Sequence, residues 1–221
     1  MIRIFVGYES RQSMAYHVLA NSIISRSSIP LTISPLALSN LQTIFDRPRD
    51  PLQSTDFSFT RFLIPYLSNY EGWSLYLDCD MVVVDDIAKL WELRDNKYAI
   101  QVVKNNHTPQ DDIKFSGEKQ TMYSKKNWSS VMLFNNDRCK KLDPNYVKLA
   151  KGLDLHQFKW LDSDDEIGAL PMQWNYLAEY EQNLALDKIS LIHYTNGGPY
   201  FSEYKNCEYA DIWFREMNKL K

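Results

Sequence analysis

With 221 residues, 44% of them apolar, the chain can bury a substantial core, and residues 1–221 are expected to form one α/β domain of the larger kind. A net charge of −3 with both signs interspersed argues against a nucleic-acid binder, since Lys125-Lys126 is too short a run to make a basic face. No apolar run approaches the length of a membrane span, and Met1 to Gly7 reads as a first strand, not a signal peptide. The three widely spaced cysteines, Cys79, Cys139 and Cys207, suit a reducing, cytoplasmic setting better than a disulfide framework, and they lack zinc-site spacing.

In chain order, Ile2–Val6 reads as a strand, and Met14, Ala15, Val18, Leu19 and Ile23 recur at helical intervals within Ser13–Ser27. Leu31–Ser34 is a second strand. The Pro, Asp and Ser content of Asp46–Ser58 marks a loop before an apolar helical stretch at Thr60–Leu67. A buried strand then ends at Asp78. Ile87–Leu93 follows as a short helix, and Tyr98–Val103 and Val131–Phe134 as strands separated by the long polar loop Lys104–Asn127. Asp143 as N-cap, Pro144 at the first helical position and Gly152 beyond the end delimit a further helix. Ile189–Ile192 is strand-like, and Tyr209–Leu220 forms a closing amphipathic helix. Strands alternating with helices predict a mostly parallel central sheet flanked by helices.

The segment Leu-Tyr-Leu-Asp-Cys-Asp-Met-Val-Val-Val (75–84) places two carboxylates where one strand-forming run ends and another begins. Burying both unpaired within a core strand would cost several kcal/mol, so Asp78 and Asp80 are expected at the strand's carboxyl end. That edge of an open α/β sheet binds ligands, and paired carboxylates there suit a hard divalent cation carrying phosphate oxygens. The spelling alone is not selective, because Asp162-Ser163-Asp164 repeats it. What adds weight is His193, which follows another strand-like run and precedes Tyr-Thr-Asn-Gly197-Gly198-Pro199. Two glycines before a proline permit close backbone approach and present N–H groups to anionic oxygens. Two Asp and one His form a mixed N/O set, which suits Mn²⁺ better than Mg²⁺ or Ca²⁺. The plainer alternative is a hydrogen-bonded histidine at a turn. Gly7 and Tyr8, at the end of the first strand, are candidates for close approach to, and stacking on, a nucleobase, with a core tyrosine as the alternative.

The same residues resemble the GT-A glycosyltransferases of the glycogenin and bacterial lipopolysaccharide galactosyltransferase type. Thr60-Arg61-Phe62-Leu63-Ile64-Pro65 is similar to that family's Ser-Arg-Phe helix, and Tyr76-Leu77-Asp78-Cys79-Asp80 to its Tyr-Leu-Asp-x-Asp strand. Val83-Val84-Asp85-Asp86-Ile87 and Leu90 resemble the continuation. Trp128 to Asn135 occupies the place of an Asn-x-Gly-Val-x-Leu-x-Asn segment that lines the donor sugar. Asp164-Asp165-Glu166-Ile167 stands where the family has Asp-Gln-Asp-Ile, and His193 with Gly197 where it has His-x-x-Gly. The chain departs in having Trp128 for Asn, Asp165 for Gln and Gly198-Pro199-Tyr200 for Lys-Pro-Trp. Its His-Tyr-Thr-x-Gly-Gly-Pro stretch looks closer to a compact bacterial or phage-type branch.

The resemblance implies a single Rossmann-like GT-A domain and a metal-dependent, retaining glycosyltransferase with a nucleotide-diphosphate donor, UDP-linked by preference. The implied metal is Mn²⁺ (or Mg²⁺), held by Asp78, Asp80 and His193. Implied donor contacts are Gly7, Tyr8, Arg61, Cys79, Trp128, Ser129, Gly197 and Gly198. Asp165 or Asp164 would face the sugar and stabilise its oxocarbenium-like centre, although Ser163-x-x-Glu166 also reads as a capping box at a helix N-terminus. The acceptor, whether glycan, lipid-linked or small-molecule, has no readable signature.

Two other readings of the chain compete. A haloacid-dehalogenase-type phosphohydrolase also carries Asp-x-Asp-x-Val after an apolar strand, with Asp78 as nucleophile and Asp80 as acid/base. That motif normally opens the chain, and no later Gly-Asp-x-x-x-Asp pair follows here. A non-catalytic nucleotide-sugar-binding protein of the same fold is the other reading.

Overall fold

The structure, a computed structural model, describes residues 1–50, 53–105, 124–180 and 184–220. Strand β1 (Ile2–Tyr8) leads through a short turn into α1 (Ser13–Ile24), which buries Ala15, Val18, Leu19 and Ile23. Met14, expected on that face, is instead exposed. β2 (Leu31–Ala37) runs past Pro35, three residues beyond the expected end. It forms one edge of the sheet, where a residue without an N–H is tolerated. Thr60–Leu63 forms a 3₁₀ turn that continues into α2 (Ile64–Leu67).

β3 (Trp73–Leu77) and β4 (Met81–Val83) flank Asp78-Cys79-Asp80, and α3 (Ile87–Glu92) follows with the Asp86 carboxylate accepting from the Ala88 N–H. Next come β5 (Ile100–Val103), β6 (Val131–Asn135) and α4 (Pro144–Leu149), the last capped by Asp143 as expected. Gly152 does not terminate α4. It opens α5 (Gly152–His156), because Ala150 leaves the helix in extended conformation with no left-handed residue needed. The Ser163 cap is real, but Asp164–Glu166 makes a single 3₁₀ turn into strand β7 (Ile167–Leu170), not a helix. β8 (Tyr176–Leu177), β9 (Leu191–His193) and α6 (Ala210–Asn218) complete the chain. β7 and β8 have too short an apolar run to be read from periodicity. Most of the expected loop between β5 and β6 lies outside the described residues.

Two sheets result, ordered β2-β1-β3-β6-β5-β7 and β4-β9-β8. In the larger sheet β1–β2, β1–β3 and β5–β7 pair in parallel, and β6 is antiparallel to both β3 and β5. Alternate residues of the central strands fill two cores. Leu75, Leu77, Val131 and Leu133 pack with Leu19, Ile23 and Ile87 on one face. Tyr76, Met132 and Phe134 pack with Phe62, Val147 and Leu155 on the other. Burial on both faces explains why these strands read as continuous apolar runs.

After β1 the chain moves to one side for β2 and then crosses to the other for β3. The crevice outside the carboxyl ends of β1 and β3 is therefore a topological switch point, the place where open α/β sheets bind ligands.

Candidate metal and donor site

Asp78 leaves the end of β3, its N–H still donating to Ser130 O across the β3–β6 ladder at 3.1 Å. Asp80 begins the crossing into the small sheet. There Met81 registers opposite His193, and the Tyr194 N–H donates to Asp80 O at 2.9 Å, so antiparallel pairing carries the imidazole to the carboxylates. One ligand atom from each of Asp78, Asp80 and His193 lies within 4.8 Å of the others, and all three residues are buried. His193 Nε2 is 3.4 Å from Asp80 Oδ1. Its Nδ1 is 2.9 Å from Asn175 Oδ1, an arrangement in which Nδ1–H donates to the amide and Nε2 faces the carboxylate. Metal-binding histidines are oriented in this way by their outer partner.

Asp78 is clamped from behind. Arg61 Nη2 lies 2.9 Å from its Oδ1, and the Tyr76 hydroxyl donates to the same oxygen at 2.6 Å. The same guanidinium donates to Ser129 O at 2.8 Å and to Phe57 O at 3.3 Å, which ties β3, the turn before β6 and the segment before α2 together. Burial raises the Asp78 carboxyl above the usual carboxylate range. Arg61 opposes that rise and the neighbouring Asp80 charge adds to it. Two buried carboxylates and an imidazole, with a guanidinium at one of them, form a donor set that fits a divalent cation with mixed N/O preference.

A cavity of about 320 Å³ opens beside this cluster. Its wall includes Asp78, Asp80 and His193 in one part, Arg61, Lys126, Ser129 and His156 in another, and most of the 53–59 segment together with Lys151, Gly152 and Leu153. Lys126 is buried, and Ser129 Oγ lies 2.8 Å from His156 Nδ1. Desolvation pushes the His156 imidazole down to about 3, aided by the charges of Arg61, Arg47 and Lys126, so the ring is neutral at ordinary pH.

Of the expected site residues, the structure brings Asp78, Asp80, His193, Arg61 and Ser129 together around this cavity. It does not bring the rest to its wall. A Cβ on Gly7 would stand 2.6 Å from the Phe57 ring and 2.8 Å from the Tyr76 hydroxyl, so this glycine makes room for residues that support Asp78. Tyr8 is half-buried and packs edge-on against Tyr16 at 5.4 Å. The Cys79 side chain points into the core, donating to Gln12 Oε1, and burial pushes its thiol well up. Trp128 donates from Nε1 to Asn105 O and lies beneath the Lys104 and Lys125 ammonium groups. Gly197 has φ 144°, a conformation that disfavours side chains, and a Cβ there would meet the Tyr204 ring at 2.6 Å. Gly198 packs against Tyr200 in the same way.

Asp164 and Asp165 are exposed and outside the cavity wall. Asp164 pairs with Lys125, and the Asp165 N–H donates to Ser163 Oγ. Four contributors escape sequence reading: Tyr76, Lys126, His156 and Asn175. Tyr76 sits in a motif already singled out, but its role depends on the face it occupies. Asn175 and His156 have no local signal at all.

Residues 22–199 match the model of Glycosyl transferase family 8, which is most of the chain. Protein CDI of Arabidopsis thaliana is 44% identical over 224 residues, covering 98% of this chain and 86% of that protein. Among solved structures, the apo form of the bifunctional glycosyltransferase WbbM superposes with a TM-score of 0.65 at 15% identity over 98% of this chain. This chain spans only 49% of WbbM. An active-site mutant of LgtC superposes with a TM-score of 0.63 at 12% identity, over 99% of this chain and 96% of LgtC. At such identities these structures share the fold, and the family match does not favour a haloacid-dehalogenase assignment for the Asp78-Cys79-Asp80 segment. With the two carboxylates at the switch point of a GT-A sheet and the family match spanning both the Asp pair and His193, the chain belongs to glycosyl transferase family 8 and is a glycosyltransferase.

Proposed function

We propose that the protein is a metal-dependent, retaining glycosyltransferase taking its sugar from a nucleotide-diphosphate donor, UDP-linked by preference, with Mn²⁺ (or Mg²⁺) held by Asp78, Asp80 and His193. The observation that carries this reading is the convergence of those three buried ligands on the wall of the 320 Å³ cavity. When bound, the cation supplies a Lewis acid for the departing diphosphate. The chain's own residues prepare the place. Arg61 and Tyr76 fix the Asp78 carboxylate, Asn175 fixes the tautomer and plane of His193, and Arg61 adds a permanent positive charge beside the site. Preorganised charge of this kind favours a transition state in which negative charge builds on the leaving group.

Retention and the preference for uridine rest on resemblance to the family. The acceptor is a glycan, a lipid-linked or a small molecule, held by loop residues as binding sites on rigid scaffolds commonly are. Nucleic acid is not among the proposed partners. No helix among the described residues is long and apolar enough to cross a membrane. Three free cysteines, two of them buried, fit the cytoplasmic location expected from the sequence.

A thermal-shift panel of nucleotide sugars with and without Mn²⁺ tests the reading, because a ligand of the folded state raises Tm. UDP and at least one UDP-sugar should raise it only with the metal, and purified protein should release UDP from that sugar in its presence. A shift without release would identify a binding protein of the same fold. No shift with any nucleotide would remove the proposal.

A further inference from the structure

The turn that leads into β6 carries a cation to the metal site along a backbone path that few side chains favour. Lys125 and Asn127 both have left-handed backbones, with φ of 64° and 62°. Asparagine tolerates this region, whereas a lysine there must be held by the contacts around it. Those contacts are present. The Lys125 ammonium pairs with Asp164 and donates to Gln157 O, and the Lys125 carbonyl accepts from the Trp128 N–H at 3.2 Å. The Asn127 carbonyl accepts from Ser130 Oγ at 2.8 Å and from Asn175 Nδ2 at 3.2 Å. Asn175 also orients His193, so the turn and the metal cluster are fixed to one another.

Between the two left-handed residues stands Lys126, buried and in the wall of the cavity that Asp78, Asp80 and His193 also line. Lysines are seldom buried except where negative charge answers them. In this wall Asp50, Asp78 and Asp80 are matched in number by Arg61, Lys126 and Lys151, and the His156 ring is neutral. A divalent cation and a nucleotide-sugar diphosphate, with one negative charge on each phosphate, enter as a neutral pair. The loaded cavity is therefore balanced with Lys126 and carries an unanswered negative charge without it, a costly state away from water. As the bond between sugar and diphosphate breaks, its electron pair passes to the diphosphate oxygen, and the demand for a nearby cation grows. The same turn also leaves a donor unmet. Asn127 lines the cavity too, and its Nδ2 is buried with no hydrogen-bond partner, as befits a wall that an oxygen-rich ligand completes.

Resting on the proposed donor chemistry, we propose that Lys126, set by the left-handed 125–127 turn, is a phosphate-binding residue that holds the diphosphate of the donor together with the metal ion. An ammonium has three N–H donors, so contacts it makes within the protein leave capacity for a phosphate oxygen. Lys126 is not a metal ligand, and it is assigned neither to the base nor to the transferred sugar.

The test measures three affinities, for Mn²⁺ alone, for UDP with Mn²⁺ and for a UDP-sugar with Mn²⁺, in the wild type, Lys126→Met and Lys126→Arg. A hydrogen bond to a charged group corresponds to about a 10- to 100-fold change. Lys126→Met should weaken UDP and UDP-sugar alike by about that factor, and Lys126→Arg should keep most of the affinity. Mn²⁺ alone should bind Lys126→Met no more weakly than the wild type, because removing a positive charge near the cluster favours a cation. Weaker binding of Mn²⁺ alone would mean that the lysine merely supports the cluster, and would overturn the assignment. A loss confined to the UDP-sugar would put the ammonium at the sugar and overturn it as well. If Lys126→Met fails to fold, Lys126→Gln carries the comparison. A wild type that binds no nucleotide removes the donor reading itself, whereas a wild type and a Lys126→Met protein that bind UDP equally well with Mn²⁺ remove only this inference.

Discussion

Asp78-Cys79-Asp80 and Asp162-Ser163-Asp164 have the same Asp-x-Asp spelling, yet the fold gives them opposite environments. The first pair lies at the end of a central strand, each residue 8% exposed, with Arg61 and Tyr76 on one carboxylate and His193 beside the other. The second lies on a surface turn into β7. The Asp164 side chain is 74% exposed and pairs with Lys125, and the Asp162 N–H donates to Glu166. A solvated pair keeps its charge at little cost and gains little from a partner. A buried pair must be answered by fixed positive charge, a cation or a proton. The difference between a site and a surface turn is thus made by desolvation and by what packs around the carboxylates, not by their spacing.

That contrast can be broken most directly by substitution. Asp80→Asn should lower transfer about a thousandfold, the scale on which a metal or an oxyanion-stabilising group acts, and should abolish the Mn²⁺-dependent rise in Tm with UDP. An Asp80→Asn protein that still shows that rise would remove Asp80 from the metal set. Arg61→Ala leaves Asp78 buried without its cation and should destabilise the fold by about 3 to 5 kcal/mol in urea unfolding. A change no larger than that of a surface salt bridge would mean that Asp78 is satisfied without Arg61.

Asn175→Ala tests the outer layer of the same region. It should reduce Mn²⁺ affinity roughly 10- to 100-fold, read by metal titration in the presence of UDP, while the fold survives. His156 gives a pH signature. Its imidazole is held at about 3 in the fold against an ordinary 6.5, so the unfolded chain takes up that proton first. The stability this ring contributes is complete above about 6.5 and is drawn down as pH falls towards 3. Tm plotted against pH should therefore fall less steeply between pH 7 and 5 in His156→Gln than in the wild type. Parallel curves would show that the ring is not desolvated as described.

At the small end, Asp162→Asn, Asp164→Asn and Asp165→Asn should each leave the transfer rate within about twofold and stability within about 0.5 kcal/mol. A large loss of rate at Asp165 alone would restore to it the sugar-facing role suggested by resemblance.

Much of the larger sheet was legible before any coordinates because its central strands are buried on both faces and so spell continuous apolar runs. β1, β3 and β6 fall within a residue or two of their expected limits at nearly every end. β7 and β8 were not legible. They are short, and they join their sheets only because β5 and β9 offer edges to pair with. The Asp143 cap was legible because its chemistry is local, whereas Gly152 misled, since a glycine that ends a helix and one that opens the next are spelled alike.

By itself the sequence determined the alternating α/β class and the position of Asp78 and Asp80 at a strand end, and it offered His193 as a candidate partner. The first two follow from residue type and short-range periodicity, whereas the third depends on the antiparallel pairing of β4 with β9. Only the tertiary structure decided which of two Asp-x-Asp pairs is buried and which glycines merely make room for aromatic rings. It also decided that the cavity wall beside Asp78, Asp80 and His193 includes His156 and Ser129, with Asp164 and Asp165 outside it. Those outcomes depend on contacts between residues far apart in the chain, among them Arg61 with Asp78 and Ser129, and Asn175 with His193. Burial and long-range packing set them, and neither is written in the spacing of neighbouring residues.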